Sequence, residues 1–212
     1  MAILGYIIVA LGGYLLGSIP TGYLVARARG IDIRTVGSKN MGATNVFRTL
    51  GTGPGIFVLL MDALKGFAAS FWLAGLLLPL FGLANSEPQT NHLVAGLAAV
   101  LGHNYTCWLQ FKGGKGIATT AGVFLALAPV AVGIAIGLWV VALVLTRYVS
   151  IASILAAVAL PTAVWFTKEN LALRLIAIIL GSLAIYKHKA NIQRLMNGTE
   201  NRIHFTKPEG AK

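Results

Sequence analysis

Long apolar runs separated by short polar segments dominate this chain. A helix that crosses a bilayer needs about 20 apolar residues, or about 17 when it is short. Runs of that kind lie near residues 3–25, 55–80, 92–109, 118–130, 132–147, 151–167 and 171–187. The fourth and fifth blocks form one run that is too long for a single crossing, so we divide it at Pro129 into two short helices. The pattern predicts an all-α polytopic membrane protein with seven transmembrane helices.

The basic residues predict the orientation of these helices. The first block has no positively charged start and its arginines follow it, which is not typical of a cleaved signal, so we expect it to remain as a span whose N-terminus faces outside. Seven spans then place fourteen lysines and arginines in or beside the cytoplasmic segments 26–54, 110–117, 147–150 and 188–212, against two on the external side. Positive charge concentrates on the cytoplasmic side of membrane proteins. Six spans would put the basic residues from Lys187 onward outside, so the charge favours seven spans and a cytoplasmic C-terminus.

Composition agrees with a membrane protein and excludes several other classes. Of the 212 residues, 57% are hydrophobic and only 11% are charged, with a mean hydropathy of +0.77, which is too apolar for a soluble domain. The net charge of +11 lies in short loops and a tail, and therefore indicates membrane headgroups or anionic substrates rather than nucleic acid as partners. The single Cys107 excludes a disulfide framework and a cysteine-rich metal site. We expect one transmembrane domain over residues 1–202 and a mobile cytoplasmic tail over 203–212.

Three polar stretches that contain glycine or basic residues fall on the predicted cytoplasmic face. The first runs over residues 37–45 and offers Ser38, Gly42, Thr44 and Asn45 as hydrogen-bond donors or flexible backbone. A short interfacial helix is predicted over 44–51, which places Arg48 one turn beyond Thr44. The stretch is therefore either an anion-binding loop or a plain turn followed by a helix cap.

The second stretch, residues 112–116, begins the fourth predicted span. Lys112 and Lys115 surround Gly113 and Gly114 where backbone N–H groups and the positive end of a helix would face the cytoplasm. The spacing is not that of a nucleotide-binding P-loop. The alternative is a basic flank with a flexible entry to the span.

The third stretch places His188 and Asn191 three residues apart beyond the last span, where they are either part of a site or a solvated helix end. His103, at the end of the third span, is equally open to both interpretations. Asp62 and Lys65 lie inside the second span and are predicted to form a structural ion pair, because charges at that depth are costly unless they are paired. No arrangement of His, Cys, Asp and Glu predicts a metal site, and no cofactor is expected.

In combination these stretches resemble the bacterial membrane glycerol-3-phosphate acyltransferases that use acyl phosphate, the PlsY family. The resemblance runs from the first span to Arg202. The matching motifs are Gly17-Ser18-Ile19-Pro20, Gly37-Ser38, Gly42-Ala43-Thr44-Asn45, Gly102-His103-Asn104, Phe111-Lys112-Gly113-Gly114-Lys115-Gly116, Ala118-Thr119, and His188 with Asn191-Ile192, Arg194-Leu195 and Gly198.

The resemblance implies transfer of a fatty acyl group from acyl phosphate to the sn-1 hydroxyl of glycerol 3-phosphate, giving lysophosphatidic acid and phosphate, at the cytoplasmic face of the bacterial inner membrane. Membrane lipids are the expected surroundings, and no protein partner is expected. The residues that the resemblance places in the active site are Ser38, Arg48, Lys112, Ser150, His188 and Asn191. Those expected to bind substrate phosphate are Gly42, Thr44, Asn45, Gly113, Gly114 and Lys115.

Few carboxylates accompany these cations and donors, which suits the binding of two phosphates better than proton abstraction by the protein. We therefore expect the departing phosphate to accept the hydroxyl proton, with His188 as the alternative base. Two other classes remain open. A transporter of anionic metabolites would place its site at mid-membrane, often with internal repeats, and a scaffold subunit would tolerate changes at Arg48 and Lys112.

Overall fold

The computed structural model describes residues 2–84, 87–167 and 170–203, and these form helices joined by loops, with no strand among them. The predicted all-α class is thus confirmed. Of the predicted tail, residues 203–212, only Ile203 lies among the described residues. The helices are α1 Ala2–Ser18, α2 Thr21–Arg27, α3 Ala43–Leu50, α4 Thr52–Ala68, α5 Ala74–Leu80, α6 Pro88–Asn104, α7 Ile117–Leu127, α8 Pro129–Thr146, α9 Val149–Phe166, α10 Leu171–Lys187 and α11 Lys189–Met196.

Several of these helices join into longer apolar elements. A turn of π-helix at Ala69–Leu73 connects α4 to α5, so Thr52–Leu80 forms one element of 29 residues. Among the described residues, four elements are long and apolar enough to cross a membrane: Ala2–Arg27, Thr52–Leu80, α8 and α9. Counted together as one span, α10 and α11, which are bent by 51° at His188, make a fifth. The remaining two, α6 with 17 residues and α7 with 11, occupy the third and fourth predicted blocks but are shorter.

The predicted division at Pro129 is confirmed, because α7 ends at Leu127 and Pro129 is the first residue of α8. Proline is well suited to that position, where its missing N–H is not needed. The third block differs from its predicted bounds of 92–109. Its helix starts at Pro88 and ends at Asn104, and Cys107–Leu109 forms a separate 3₁₀ turn. The Asn104 carbonyl is bound by the Gly113 N–H and by Lys187 Nζ, which stabilises this early end.

The short helix predicted over 44–51 is confirmed as α3, which ends before Gly51. Its N-cap is Gly42, and the Asn45 side chain of its first turn points back onto the preceding loop. Ile33 from that loop, Val46 of α3 and Val58 of α4 are buried together in a small apolar core. This core fixes the long polar loop to the helix bundle, so the loop is a rigid cover rather than a linker.

The main apolar core lies among α6, α7, α8, α9 and α10. A second core joins α1 to α5 and α6. Between α4 and α7 on one side and α8, α9 and α10 on the other, the bundle leaves a cavity that begins beneath α3. The helices thus enclose a space whose upper end is lined by the three polar stretches.

Candidate active site

The cavity has a volume of about 410 Å³ and two chemically different parts. Its upper part, which we call the rim, is polar, and its lower part is formed by apolar residues of the five surrounding helices. Nine of the predicted site residues line it: Ser38, Gly42, Thr44, Asn45, Arg48, Lys115, Ser150, His188 and Asn191. Lys112, Gly113 and Gly114 do not. The structure therefore brings residues from all three polar stretches, and from the 147–150 turn, to one place.

Asn45 organises the first stretch. Its amide nitrogen donates to the carbonyl oxygens of Ile33, Val36 and Asn40, at 3.2, 3.1 and 2.9 Å. Its side-chain oxygen accepts the Ser38 N–H at 2.9 Å. With four hydrogen bonds and almost no exposure, Asn45 shapes the loop and has no donor left for a ligand. Ser38, which this network places, keeps its side chain at the edge of the cavity.

Arg48 supplies the first cation of the rim. One guanidinium nitrogen donates to the Asn201 carbonyl at 3.0 Å, while the buried Nε makes no hydrogen bond within the described residues. Burial lowers the pKa of Arg48, although arginine stays charged at any physiological pH. A buried, unsatisfied N–H beside a cavity is a donor available to an anionic ligand.

The glycine stretch is folded against the end of α6. The N–H groups of Gly113 and Gly114 donate to the carbonyls of Asn104 and His103, at 3.2 and 2.9 Å. Gly114 packs directly on the His103 imidazole, and a β-carbon at this position would overlap the ring. These two N–H groups, predicted to bind phosphate, are thus already used to hold the loop. Their role in the structure is to direct the next residue, Lys115, inward.

Lys115 is the lysine that reaches the cavity. Its ammonium group donates to the Asn191 side-chain oxygen. Burial is the main reason why the pKa of Lys115 falls to about 8, so its charge is lost at a lower pH than that of an ordinary lysine. Lys112, which was predicted for the active site alongside the phosphate-binding Lys115, is exposed and does not line the cavity.

His188 and Asn191 lie at the bend between α10 and α11. His188 Nδ1 is 2.8 Å from the Ala184 carbonyl oxygen, which can only accept, so Nδ1 carries the proton and Nε2 is left as an acceptor. Burial and, secondarily, the charge of Lys115 lower the pKa of His188 to about 4. The imidazole is therefore neutral at physiological pH and is a weak base.

Glu200 is a rim residue that the sequence analysis missed. Its carboxylate accepts from Asn191 Nδ2 and from Arg194 Nε, both at 2.7 Å. Burial raises its pKa, but these hydrogen bonds and the charge of Arg194 outweigh that effect and keep the pKa below its usual value. The Ser150 hydroxyl also lies close enough to contribute to the lowering. Glu200 thus links Asn191, and through it Lys115, to the last described segment. The sequence feature that could have indicated Glu200 is a single acidic residue that follows a basic stretch.

Below the rim lies a buried ion-pair network. Lys65 Nζ is 2.8 Å from Asp62, which confirms the predicted pair, and it also donates to the Ile19 carbonyl at 2.8 Å. Asp62 accepts from the Thr21 hydroxyl at 3.3 Å, and His103 Nδ1 lies 3.5 Å from the same carboxylate. Because the opposite edge of His103 supports Gly114, this network connects α2, α4 and α6 to the loop that carries Lys115.

The arrangement as a whole is suited to anions at the rim and to an apolar group below it. Arg48, Lys115 and the neutral donors of Ser38, Thr44 and Ser150 face the same space, with one rim carboxylate, Glu200, already paired to Arg194. Charge-assisted hydrogen bonds of this kind are the usual way in which proteins hold phosphate. An amphipathic ligand with an anionic head fits both halves.

Comparison with known proteins agrees with this description. Residues 7–198 match the family model described as glycerol-3-phosphate acyltransferase. A relative named glycerol-3-phosphate acyltransferase from Geotalea daltonii is 48% identical over 195 residues, which is 92% of this chain and 96% of that protein. One with the same name from Fusobacterium nucleatum is 43% identical over 194 residues, 91% of this chain and 95% of the other.

Two crystal structures of PlsY, an integral membrane glycerol 3-phosphate acyltransferase, have a similar fold. The glycerol 3-phosphate form superposes with a TM-score of 0.84 and 37% identity, covering 94% of this chain and 96% of that one. The lysophosphatidic acid form gives a TM-score of 0.81 and 36% identity, with 94% and 95% coverage. The likeness therefore extends over nearly the whole length of both chains.

Proposed function

This chain belongs to the glycerol-3-phosphate acyltransferase family of PlsY, and we propose that it transfers a fatty acyl group from acyl phosphate to the sn-1 hydroxyl of glycerol 3-phosphate. The products are lysophosphatidic acid and inorganic phosphate. The observation that carries the proposal is the convergence of Arg48, Lys115 and four polar segments at the rim of a cavity whose lower part is apolar. Both reactants then place a phosphate at the rim, and only the acyl donor extends below it.

The relatives' names support the acceptor, and the chemistry of the rim supports the donor. An acyl donor whose leaving group is phosphate needs the same cations and N–H donors as glycerol 3-phosphate, so one rim serves both. Holding two reactants in a reactive orientation is worth about 7–11 kcal/mol of the barrier. No metal or cofactor is part of the proposed reaction.

The reaction proceeds in one transfer step without an acyl-enzyme. The sn-1 oxygen forms a bond to the carbonyl carbon of the acyl phosphate, the bond from that carbon to the phosphate oxygen breaks, and the hydroxyl proton passes to the departing phosphate. His188, with a pKa of about 4, is a weaker base than a phosphate dianion, whose second pKa is about 6. His188 then acts through Nε2 as an acceptor of a hydrogen bond from the sn-2 hydroxyl, which orients glycerol 3-phosphate and leaves the sn-1 proton to pass to phosphate.

The site residues take the following roles in this proposal. Arg48 and Lys115 neutralise the two phosphates, and Ser38 and Thr44 donate to the acyl phosphate head. The Gly42 N–H already donates to Asn40 Oδ1 at 2.8 Å, so Gly42 shapes the loop. Ser150, His188 and Asn191 hold glycerol 3-phosphate. Asn45, Gly113 and Gly114 shape the loops, as their hydrogen bonds indicate. The role predicted for Lys112 passes to Lys115, because Lys115 lines the cavity.

Seven spans with the rim in the cytoplasm of a bacterial inner membrane complete the proposal. The seven apolar elements of the described chain follow the seven predicted blocks, and the basic loops lie at the rim end. In a Cys107→Ser background, single cysteines replacing the exposed Lys39, Lys112 and Lys189 should all react with an impermeant maleimide from one side of sealed vesicles. A cysteine replacing Ala84 should react from the other side. Reaction of Lys39→Cys and Lys189→Cys from opposite sides would overturn this topology.

The activity is tested by incubating the purified protein with palmitoyl phosphate and glycerol 3-phosphate and measuring phosphate release. We expect release only when both are present, with one lysophosphatidic acid formed per phosphate. Uptake of glycerol 3-phosphate into vesicles without conversion would support a transporter instead.

The variant His188→Gln tests, in the same assay, whether His188 is the base. Retained affinity with collapsed turnover and the loss of one limb of the pH profile would contradict proton transfer to phosphate.

A further inference from the structure

Ser153 is a buried hydroxyl at the boundary between the rim and the apolar part of the cavity. It lies on α9 three residues after Ser150, and the two residues line the cavity with 4% and 3% exposure. Three residues of an α-helix rise by about 4.5 Å, so Ser153 lies one level below the rim serine. The residues of α9 that line the cavity beyond it are Ala156, Ala157 and Leu160, which are all apolar. Ser153 is therefore the last polar group on this wall.

The indole of Trp139 holds this hydroxyl in place from α8. Its Nε1–H donates to Ser153 Oγ at 3.2 Å, since an indole nitrogen can only donate. A helical serine or threonine often donates back to the carbonyl four residues earlier, as Thr162 does to Val158 at 2.9 Å. Ser153 makes no such bond within the described residues, so its proton is available to a ligand in the cavity. Accepting from Trp139 also polarises the hydroxyl and makes it a stronger donor.

The position of Ser153 matches that of the acyl carbonyl in the proposed reaction. In an acyl phosphate one bridging oxygen joins phosphorus to the carbonyl carbon, so a phosphate at the rim places the carbonyl directly beneath it. When the sn-1 oxygen adds to the carbonyl carbon, one electron pair of the C=O bond moves onto the carbonyl oxygen, which becomes negatively charged. A fixed donor at this oxygen is usually among the largest contributions to acyl-transfer catalysis.

We propose that the Ser153 hydroxyl donates a hydrogen bond to the carbonyl oxygen of the acyl phosphate and stabilises its negative charge during transfer. This inference rests on the proposed function. Ser153 keeps its proton throughout. The C=O bond forms again when the bond to the departing phosphate breaks, which leaves the ester carbonyl of lysophosphatidic acid. Trp139 is a positioning residue, because its N–H acts on the reaction through Ser153.

Two other polar groups below the rim fit this role less well. Thr120 of α7 lines the cavity, and its buried hydroxyl has no hydrogen-bond partner within the described chain, so nothing fixes its direction. A donor that must first be oriented stabilises a transition state less than one that is already in place. The carboxylate of Asp62 would repel a negative oxygen, but Lys65 Nζ lies 2.8 Å away and balances that charge. Ser153 is therefore the donor that the geometry favours.

Ser153→Ala tests the hydrogen bond in the transition state. Its kcat should fall by about 100-fold, the usual loss when one donor to such an oxygen is removed, while KM for each substrate stays within about threefold. Trp139→Phe removes the indole N–H and should lower kcat by less than Ser153→Ala does. The double variant should be no slower than Ser153→Ala, because the N–H acts through the hydroxyl. The matched control is Ser70→Ala, a change in a buried serine outside the cavity, which should leave kcat unaltered.

Thermal unfolding should show that all these variants are folded. An unchanged kcat in Ser153→Ala would overturn the proposal. Losses that multiply in the double variant would also overturn it, since they would give Ser153 and Trp139 separate packing roles. A larger loss in Thr120→Val than in Ser153→Ala would assign the carbonyl oxygen to Thr120 instead.

Infrared spectroscopy of the bound donor separates this inference from the proposed function. Palmitoyl phosphate labelled with ¹³C at its carbonyl carbon is added without glycerol 3-phosphate, so no transfer follows. A hydrogen bond to the oxygen weakens the C=O bond, so the labelled band should lie at higher wavenumber in Ser153→Ala than in the unsubstituted protein or in Ser70→Ala. Identical bands in all three would contradict the proposal even in an inactive protein. Inactivity of the unsubstituted protein with both substrates would instead be a failure of the proposed function.

Discussion

The rim and the lower wall of the cavity are built by opposite means. The rim takes single polar residues from four separate segments and holds several of them with hydrogen bonds, as Asn45 does in the first stretch and Glu200 does for the third. The lower wall is lined by small side chains such as Ala121, Ala135 and Ala156, and the space that they leave unfilled forms this part of the cavity. The rim therefore depends on the identity of each residue, and the wall depends on volume. Changes at the rim should affect rate, and changes in the wall should affect which chain is accepted.

The largest expected effect concerns the network that lies between the two regions. Asp62→Asn leaves the buried Lys65 charge without its partner, and breaking a buried ion pair costs about 3–5 kcal/mol of unfolding free energy. Unfolding of the detergent-solubilised protein, followed by denaturant titration, measures the loss. The double variant Asp62→Asn/Lys65→Met should recover part of it, since no unpaired charge remains. If Asp62→Asn were as stable as the double variant, the unpaired Lys65 charge would carry no penalty, which would contradict this prediction.

The second effect distinguishes the two lysines of the glycine loop. Lys115→Met removes a buried, charge-assisted contact worth about 2–3 kcal/mol, so kcat/KM for glycerol 3-phosphate should fall by about 30- to 150-fold. The matched control Lys112→Met removes an exposed charge outside the cavity and should change kcat/KM by less than about threefold. Thermal unfolding should show that both variants are folded. A larger loss in Lys112→Met would contradict the placement of the cation.

The third effect is a pH dependence that belongs to the rim alone. Burial lowers the pKa of Lys115 to about 8, so the side chain is half charged near that pH, nearly fully charged at least one unit below it, and loses charge about tenfold per unit well above it. Glycerol 3-phosphate is already a dianion in this range, since its second pKa is about 6. We expect kcat/KM to decrease above pH 8 and the decrease to disappear in Lys115→Met. A wild-type profile that stays flat to pH 10 would assign the binding of phosphate to other groups.

The smallest effect belongs to the wall. Leu160 is buried and lines the apolar end of the cavity, so Leu160→Ala lengthens the space available to the chain. Each additional methylene that becomes buried favours the longer substrate by up to about fourfold. The ratio of kcat/KM for stearoyl phosphate to that for myristoyl phosphate should rise severalfold. This ratio is independent of the folded fraction, and an unchanged ratio would mean that the chain does not reach Leu160.

The contrast between the regions also explains what the sequence could and could not predict. Polar residues stand out in so apolar a chain, so Ser38, Arg48, His188 and Asn191 could be named as candidates, and all four line the cavity. For the same reason the Asp62–Lys65 spacing predicted an ion pair. The residues of the lower wall could not be predicted, because alanines and leucines that line a cavity cannot be distinguished in the sequence from those that face lipid.

Two features of the rim could not be read from the sequence, and both have physical causes. Lys112 and Lys115 flank the same glycines, and only the hydrogen bonds of Gly113 and Gly114 to the end of α6 decide which lysine turns inward. Glu200 lies beyond the last helix, so its contacts with Asn191 and Arg194 arise from the way the chain folds back. Both depend on tertiary contacts that residue spacing does not encode.

The central claim is that the acyl group passes directly from acyl phosphate to the sn-1 hydroxyl while both phosphates are held at one rim. Isotope exchange tests this claim most directly. The purified protein is incubated with palmitoyl phosphate and ³²P-labelled phosphate, without glycerol 3-phosphate, and the label in palmitoyl phosphate is measured. An acyl-enzyme would form reversibly and incorporate label, whereas direct transfer cannot begin without the acceptor hydroxyl. We predict incorporation no faster than in the absence of protein. Exchange that requires the protein and proceeds at a rate comparable to turnover would contradict the account.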